Sequence, residues 1–172
     1  MKQPQRIVIL GAGFAGVGVA RELIKQFPEA DGCRITLVDQ NNFFLFTPML
    51  TEVIGGEVDE NSIVTAVRSL SPRVTFEQGR IDRIDAAAKS VTITVGDGEP
   101  GVPATQRVLQ ADHIVVALGS VTNFHNIQGL KEYSLTVDTV EDAVTIRNRA
   151  LALMERADEE PDAGIRRELL TF

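Results

Sequence analysis

Apolar residues along this chain follow more than one period, and the places where the period changes mark its elements. Ile7 to Leu10 is a short unbroken apolar run, the pattern of a strand buried on both faces of a parallel sheet. After it the spacing turns helical: Val19, Ala20, Leu23, Ile24 and Phe27 share one stripe, while Arg21, Glu22, Lys25 and Gln26 face away, until Pro28 ends the pattern. Arg34 to Val38 then reads as a second strand, with Asp39 at its C-terminal end. Farther on, Ile114 to Leu118 is another buried-type strand, stopped by Gly119-Ser120.

Between these strands the pattern shifts. Gln40 to Leu50 is rich in aromatics and follows a strand end, so it is either a loop packed over the core or one lining a ligand site. Gly55-Gly56 with Glu57, Asp59 and Glu60 marks a solvated turn, after which Asn61 or Ser62 would cap a short helix with Ile63, Ala66, Val67 and Leu70 inward. From Val74 to Val95 the alternation predicts antiparallel hairpins: Val74 and Phe76, then Ile81 and Ile84, then Val91, Ile93 and Val95. Gly96 to Thr105 reads as a turn and Val108-Leu109 as one more short strand. A β-meander thus interrupts the strand–helix alternation. Asp138 to Glu141 resembles a capping box opening a helix to about residue 157, with Val140, Ala143, Val144, Ala150, Leu151 and Met154 inward. After a polar break at Asp158–Gly164, Leu169 to Phe172 reads as a strand cut off midway, so the chain is expected to be a fragment.

The junction of first strand and first helix carries the chemistry. Gly11, Gly13 and Gly16 form a Gly-x-Gly-x-x-Gly turn, and each has a task in a dinucleotide site. Gly11 makes the tight turn, Gly13 lets a pyrophosphate approach the backbone, and Gly16 lets helix and strand lie close. The helix N-terminus adds free N–H groups and a positive dipole end. A glycine triplet alone also fits a turn with no ligand; strand, helix and Asp39 together favour an adenine dinucleotide. A carboxylate there accepts both ribose hydroxyls and repels a 2′-phosphate. Gly119 fits an ordinary strand exit or a close backbone approach.

Composition narrows the classes. The chain has 172 residues, 44% of them hydrophobic, enough for one ordinary core and the length of a single domain. A net charge of −7 argues against nucleic acid as a partner. Cys33 is the only cysteine, which excludes an intrachain disulfide and suggests a reducing compartment; with only His113 and His125 beside it, no metal-ligand spacing exists. No signal peptide and no long apolar run is visible, so a cytoplasmic location is expected.

The segments RIVILGAGFAG, ITLVDQNNFFLFTPMLTEV, ADHIVVALGS and VEDAVTIRNRA together resemble type II (alternative) NADH:quinone oxidoreductases, in the two-dinucleotide-fold flavoprotein class that includes the pyridine nucleotide-disulfide oxidoreductases. The resemblance runs over nearly the whole chain. It implies an α/β, Rossmann-like FAD-binding domain over residues 1–172, a parallel sheet with helices and the inserted antiparallel β-meander. It implies that Gly11, Gly13 and Gly16, with Phe14 and Ala15 between them, hold the FAD pyrophosphate. Asp39 would hold the adenosine ribose with Gln40 beside it, Ile81 would offer backbone to the adenine, and Phe46, Thr47 and Pro48 would lie near the isoalloxazine. Ala117, Leu118 and Gly119 stand where the family's Ala-Thr-Gly motif closes on FAD; Leu118 brings no hydroxyl.

Relatives that use a redox cysteine pair near the flavin fit less well, because FTPMLTEV after Asp39 has no cysteine and Cys33 reads as a buried or edge thiol. No residue reads as a catalytic acid, base or nucleophile, and no metal site is expected; the chemistry belongs to the flavin. By the same resemblance NADH is bound by a second Gly-rich unit beyond Phe172, so this part alone is expected to be inactive. Quinone is the expected acceptor, with peripheral membrane association through a C-terminal region and a homodimer as further expectations. Two other readings stay open: a flavoprotein serving a ferredoxin-like carrier, and a nucleotide-binding module without turnover.

Overall fold

The computed structural model describes residues 3–28, 32–96 and 101–172. They form two compact units. The first comprises the chain up to Leu45 together with Thr65–Ser120, and the second Phe46–Val64 with Val121–Phe172.

In the first unit, strands β1 (Gln5–Leu10) and β2 (Cys33–Asp39) flank helix α1 (Phe14–Gln26) in sequence and pair in parallel, Ile7 opposite Ile35. Ile7–Leu10 of β1 is a continuous, fully buried apolar run because both faces of the sheet are covered there, whereas β2 carries the exposed Arg34 and half-buried Thr36 among its apolar residues. Ile7, Ile9, Ile35 and Leu37 point into a cluster with Ala20, against which Val19, Leu23 and Ile24 of α1 pack. Val8, Leu10 and Val38, the alternate positions, point into a second cluster with Val91 and Ile93. Phe27 lies outside the helical stripe that the spacing predicts: it follows the last residue of α1 and is exposed. Two short strands, β3 (Phe43–Leu45) and β4 (Val64–Ala66), pair in a separate ribbon.

Strand β5 (Val74–Gln78) corrects the hairpin expectation. It joins β2 in parallel, Leu37 opposite Phe76, and extends the main sheet to β5-β2-β1-β9, where β9 is His113–Val116. Two-residue alternation marks a strand but not its partner; the buried Phe76 ring belongs to the cluster on the α1 face. The antiparallel meander consists of β6 (Arg80–Asp85), β7 (Ser90–Val95) and β8 (Thr105–Gln110), with Ile84 opposite Val91 and Ile93 opposite Arg107. The Asp85 carboxylate accepts the Ala88 N–H at 2.8 Å, which shapes the turn into β7. Of the turn expected over 96–105, positions 97–100 lie outside the described residues; Gly96 enters it at φ +80°. The sheet with its helix and the antiparallel insertion are the α/β fold the pattern predicts.

The second unit also departs from expectation. Within the segment expected as a loop, Gln40 to Leu50, Thr47–Met49 is one turn of 3-10 helix leading into α2 (Leu50–Gly55). The helix expected from Asn61 is absent. Asp59 accepts the Asn61 N–H at 2.9 Å and starts a 3-10 turn over Glu60–Ile63, after which the β-branched Val64 and Thr65 run extended. Past the short helix α3 (Leu130–Tyr133), helix α4 (Val140–Glu159) packs on α2 and on α5 (Ala163–Leu169). Its capping box is one residue later than the sequence suggests: Thr139 Oγ1 accepts the Asp142 N–H at 3.1 Å, and the Asp142 carboxylate accepts the Thr139 N–H at 3.0 Å. The inward stripe is Ala143, Ile146, Ala150, Leu153 and Ala157, whereas Leu151 and Met154, expected inward, are exposed. Leu169–Phe172 is not a strand. Asp162 accepts the Gly164 and Ile165 N–H groups at 2.7 and 3.0 Å, and that cap starts α5, which runs to Leu169.

Candidate nucleotide site

The glycine turn sits between β1 and α1, at the carboxyl ends of the parallel strands. Gly11 has φ +101°, and a Cβ there would overlap the Ala117 carbonyl oxygen where β9 leaves the sheet. Its N–H donates to the Val38 carbonyl at 2.8 Å, and Ala117 N–H donates to Leu10 at 2.8 Å, so the turn is gripped by the strands on either side. A Cβ on Gly16 would overlap the Gly11 carbonyl oxygen, which is why α1 can lie so close to β1.

Gly13 differs from both. Its φ of −77° is open to any residue, and a Cβ there would meet no atom within 4 Å. The fold itself therefore does not require glycine at 13. Gly13 is also the N-cap of α1, without a side-chain cap and with no acidic residue in the first turn, so no carboxylate of that turn meets the positive end of the helix dipole. Phe14 and Ala15 are exposed at that end, and the Phe14 ring meets Phe44 edge-on, centroids 5.0 Å apart.

Asp39 closes the other side. Its Oδ2 accepts the Ala12 N–H at 2.7 Å, its Oδ1 accepts the Asn41 N–H at 2.8 Å, and its carbonyl accepts the Gly79 N–H at 2.9 Å. A cavity of about 220 Å³ opens here, lined by Gly11, Asp39, Gln40, Gly79, Arg80, Ile81 and Leu118. It shares Gln40, Gly79 and Arg80 with a larger one of about 670 Å³ that runs toward Arg107. Arg80 Nε donates to Asp82 at 3.1 Å. The Thr94 hydroxyl, at 2.5 Å, and then Arg80 hold the Asp82 carboxyl below its ordinary range.

The structure therefore gathers Gly11, Asp39, Gln40, Ile81 and Leu118 around one cavity, with Gly13, Phe14, Ala15 and Gly16 at the start of α1 and Ala117 behind Gly11. Gly119 turns the chain at φ +73°. Phe46, Thr47 and Pro48 belong to the second unit, where Phe46 N–H donates to the Ile63 carbonyl at 2.8 Å. The pattern reading missed Gly79 and Arg80. A Cβ on Gly79 would come within 2.8 Å of the Thr94 carbonyl oxygen, so only glycine lets β5 pass into β6 here. The available signal was a single glycine between two alternating runs, Gln78-Gly79-Arg80. Cys33 is buried at the start of β2, away from the carboxyl ends of the strands.

A glycine turn of this kind, joined to a carboxylate at the end of the next strand, is the phosphate-binding corner of a dinucleotide-binding βαβ unit. The chain belongs to the pyridine nucleotide-disulphide oxidoreductase family, whose model matches residues 5–157. It is 31% identical over 155 residues to the external alternative NAD(P)H-ubiquinone oxidoreductase B4 of Arabidopsis thaliana mitochondria, covering 89% of this chain and 26% of that protein. It is likewise 31% identical over 174 residues to the external NADH-ubiquinone oxidoreductase 2 of Saccharomyces cerevisiae mitochondria, covering 98% of this chain and 30% of that protein. With the type II NADH:quinone oxidoreductase of Haemophilus influenzae it shares 29% identity over 90% of this chain and 36% of that protein. The chain thus spans roughly a quarter to a third of the length of these curated relatives. Among solved structures, NDH2 from Plasmodium falciparum in complex with NADH has the same fold, with a TM-score of 0.73 at 23% identity over 92% of this chain and 31% of that one. The sulfide:quinone oxidoreductase of Aquifex aeolicus is similar in fold, with a TM-score of 0.72 at 23% identity over 87% of this chain and 32% of that one.

Proposed function

We propose that residues 1–172 are the FAD-binding part of a flavoprotein oxidoreductase that carries electrons from NADH to a quinone. The observation that carries the reading is Gly13, a glycine that nothing in the fold requires, placed on the uncapped N-terminus of α1 beside the Asp39 cavity. When bound, FAD supplies the chemistry of taking up a hydride and passing on electrons. The residues of this chain bind and orient it. Gly11 makes the turn, and Gly13, Phe14, Ala15 and Gly16 form the start of α1, whose N-terminal dipole end faces the pyrophosphate. Asp39 accepts the hydroxyls of the adenosine ribose, with Gln40 beside it, and its charge disfavours a 2′-phosphate. Ile81 offers its backbone to the adenine, and Ala117, Leu118 and Gly119 form the backbone turn opposite Gly11. Phe46, Thr47 and Pro48 are assigned to the isoalloxazine end.

The printed names of the relatives, NADH-ubiquinone and NADH:quinone oxidoreductases, support the donor and the acceptor. Because ubiquinone-like acceptors are lipid-soluble, the full-length protein would work peripherally at a membrane, on its cytoplasmic face. No helix among the described residues is long and apolar enough to cross one. The test is the full-length protein that contains these residues. It should be purified yellow, with bound FAD, and should reduce a soluble quinone with NADH, whereas the 172-residue chain alone should not oxidise NADH. Full-length protein without flavin absorbance, even after incubation with FAD, would sink the proposal.

A further inference from the structure

The two hydrogen bonds made by the Asp39 side chain have a consequence beyond ligand binding. Its Oδ2 accepts the Ala12 N–H from the glycine turn at 2.7 Å, and its Oδ1 accepts the Asn41 N–H from the loop after β2 at 2.8 Å. Ala12 is 2% exposed, so its amide has little access to water and needs an acceptor within the protein. Gly11 brings no side chain to brace the turn, and it holds φ +101° against the Ala117 carbonyl. One carboxylate therefore ties the glycine turn to the loop across the cavity, while its main-chain carbonyl holds Gly79 on the third side.

We propose that Asp39 is a positioning residue that builds the glycine turn before any nucleotide arrives, and that the same two bonds pin its charge against an adenosine 2′-phosphate. The second half rests on the FAD reading; the first does not. An ionised carboxylate has about four lone-pair sites. Two are used by Ala12 and Asn41, and two remain for hydroxyl donors. To swing away from a 2′-phosphate the side chain would have to release both amides at once. Asparagine at this position has a single acceptor oxygen, and its NH₂ would face whichever backbone N–H the oxygen did not take. Neutralising the charge thus breaks the corner instead of opening it to a phosphorylated ribose.

Amide NMR on the ¹⁵N-labelled 172-residue chain without nucleotide tests the first half. In Asp39→Asn, exchange of the Ala12 or the Asn41 amide should rise about tenfold or more, the loss of roughly one hydrogen bond. Exchange at Ile9 and Leu37, in the core strands, should hold, which separates the effect from general unfolding. If the variant does not fold, the wild type still decides. On acid titration the Ala12 and Asn41 amide shifts should move together with the Asp39 carboxyl carbon; Arg80 is the other charged residue lining the cavity. Amide shifts that ignore that titration, or unchanged exchange in Asp39→Asn, would overturn the assignment. For the second half, ADP and adenosine 2′,5′-bisphosphate are titrated into both chains. Asp39→Asn should bind neither more tightly than wild type, and a tenfold gain for the bisphosphate would overturn the pinned charge. Failure of the amide tests would leave the FAD proposal standing, whereas a chain that passes them and belongs to a flavin-free protein would sink only the latter.

Discussion

Arg6 and Asp112 bind each other through both side chain and main chain. The guanidinium donates to the two carboxylate oxygens at 3.0 and 3.3 Å, the Arg6 N–H donates to Oδ2 at 2.8 Å, and Asp112 N–H returns a bond to the Arg6 carbonyl at 2.8 Å. This exchange sits immediately before the first paired residues of β1 and β9, Ile7 and His113, and sets the register that brings Ala117 behind Gly11. A one-residue slip would place a different carbonyl behind the glycine turn.

That pair makes stability depend on acid. The Arg6 side chain first, and then its N–H, pull the Asp112 carboxyl from its ordinary 3.8 to about 2. A lowered folded-state value stabilises the fold fully above the ordinary value and loses that contribution as pH falls from there toward about 2. Urea unfolding at stepped pH should show a steeper loss for wild type than for Asp112→Asn across this window. Parallel curves would mean that the pair does not tie folding to protonation.

Gly16 and Gly13 should separate fold from ligand. In Gly16→Ala the new methyl meets the Gly11 carbonyl oxygen, so α1 must move off β1, at a cost of about 1–3 kcal/mol or more. Gly13→Ala meets nothing and should change stability by no more than about 1 kcal/mol, the scale of an N-cap exchange. On the FAD reading it should still weaken FAD binding in the full-length protein. Equal losses of stability in the two variants, measured by thermal unfolding, would contradict the geometry.

Gly79→Ala should affect both properties. The added methyl would sit 2.8 Å from the Thr94 carbonyl oxygen and 3.4 Å from a Val95 methyl, so the β5–β6 junction must shift on the wall of the Asp39 cavity. A destabilisation of about 1–3 kcal/mol is expected, together with weaker FAD binding. A variant as stable as wild type would show that the junction yields freely.

Thr139→Ala removes one half of the α4 capping box and should cost about 1 kcal/mol in unfolding free energy. Asp138→Ala should cost less, because Asp138 is not the cap, although its carboxylate does accept the Thr122 hydroxyl. The reverse order would restore the earlier box that the sequence alone suggests.

What the chain determined by itself is local. Ile7–Leu10 with Gly11, Gly13 and Gly16 encodes strand, turn and helix within one stretch, and Ile35, Leu37 and Val38 encode a strand with buried residues on both faces. Such signals are carried by neighbouring residues, so they can be read without knowing the partner. Asp39 was legible as the cavity's carboxylate for the same reason. The rest depended on contacts between distant segments. Val74 and Phe76 alternate equally well in a hairpin or a parallel strand; only the α1-face cluster, which takes the Phe76 ring, seats β5 beside β2. Gly79 and Arg80 gain meaning because β6 passes the end of β2, and the Ala12–Asp39 bond exists because residues 27 positions apart meet at one corner. In α4, Ala143, Ile146, Ala150, Leu153 and Ala157 face inward, and Leu151 does not, because packing on α2 and α5 selects the buried face from a helix with apolar residues on more than one side. Periodicity names the element; which neighbour covers which face is decided by burial in three dimensions.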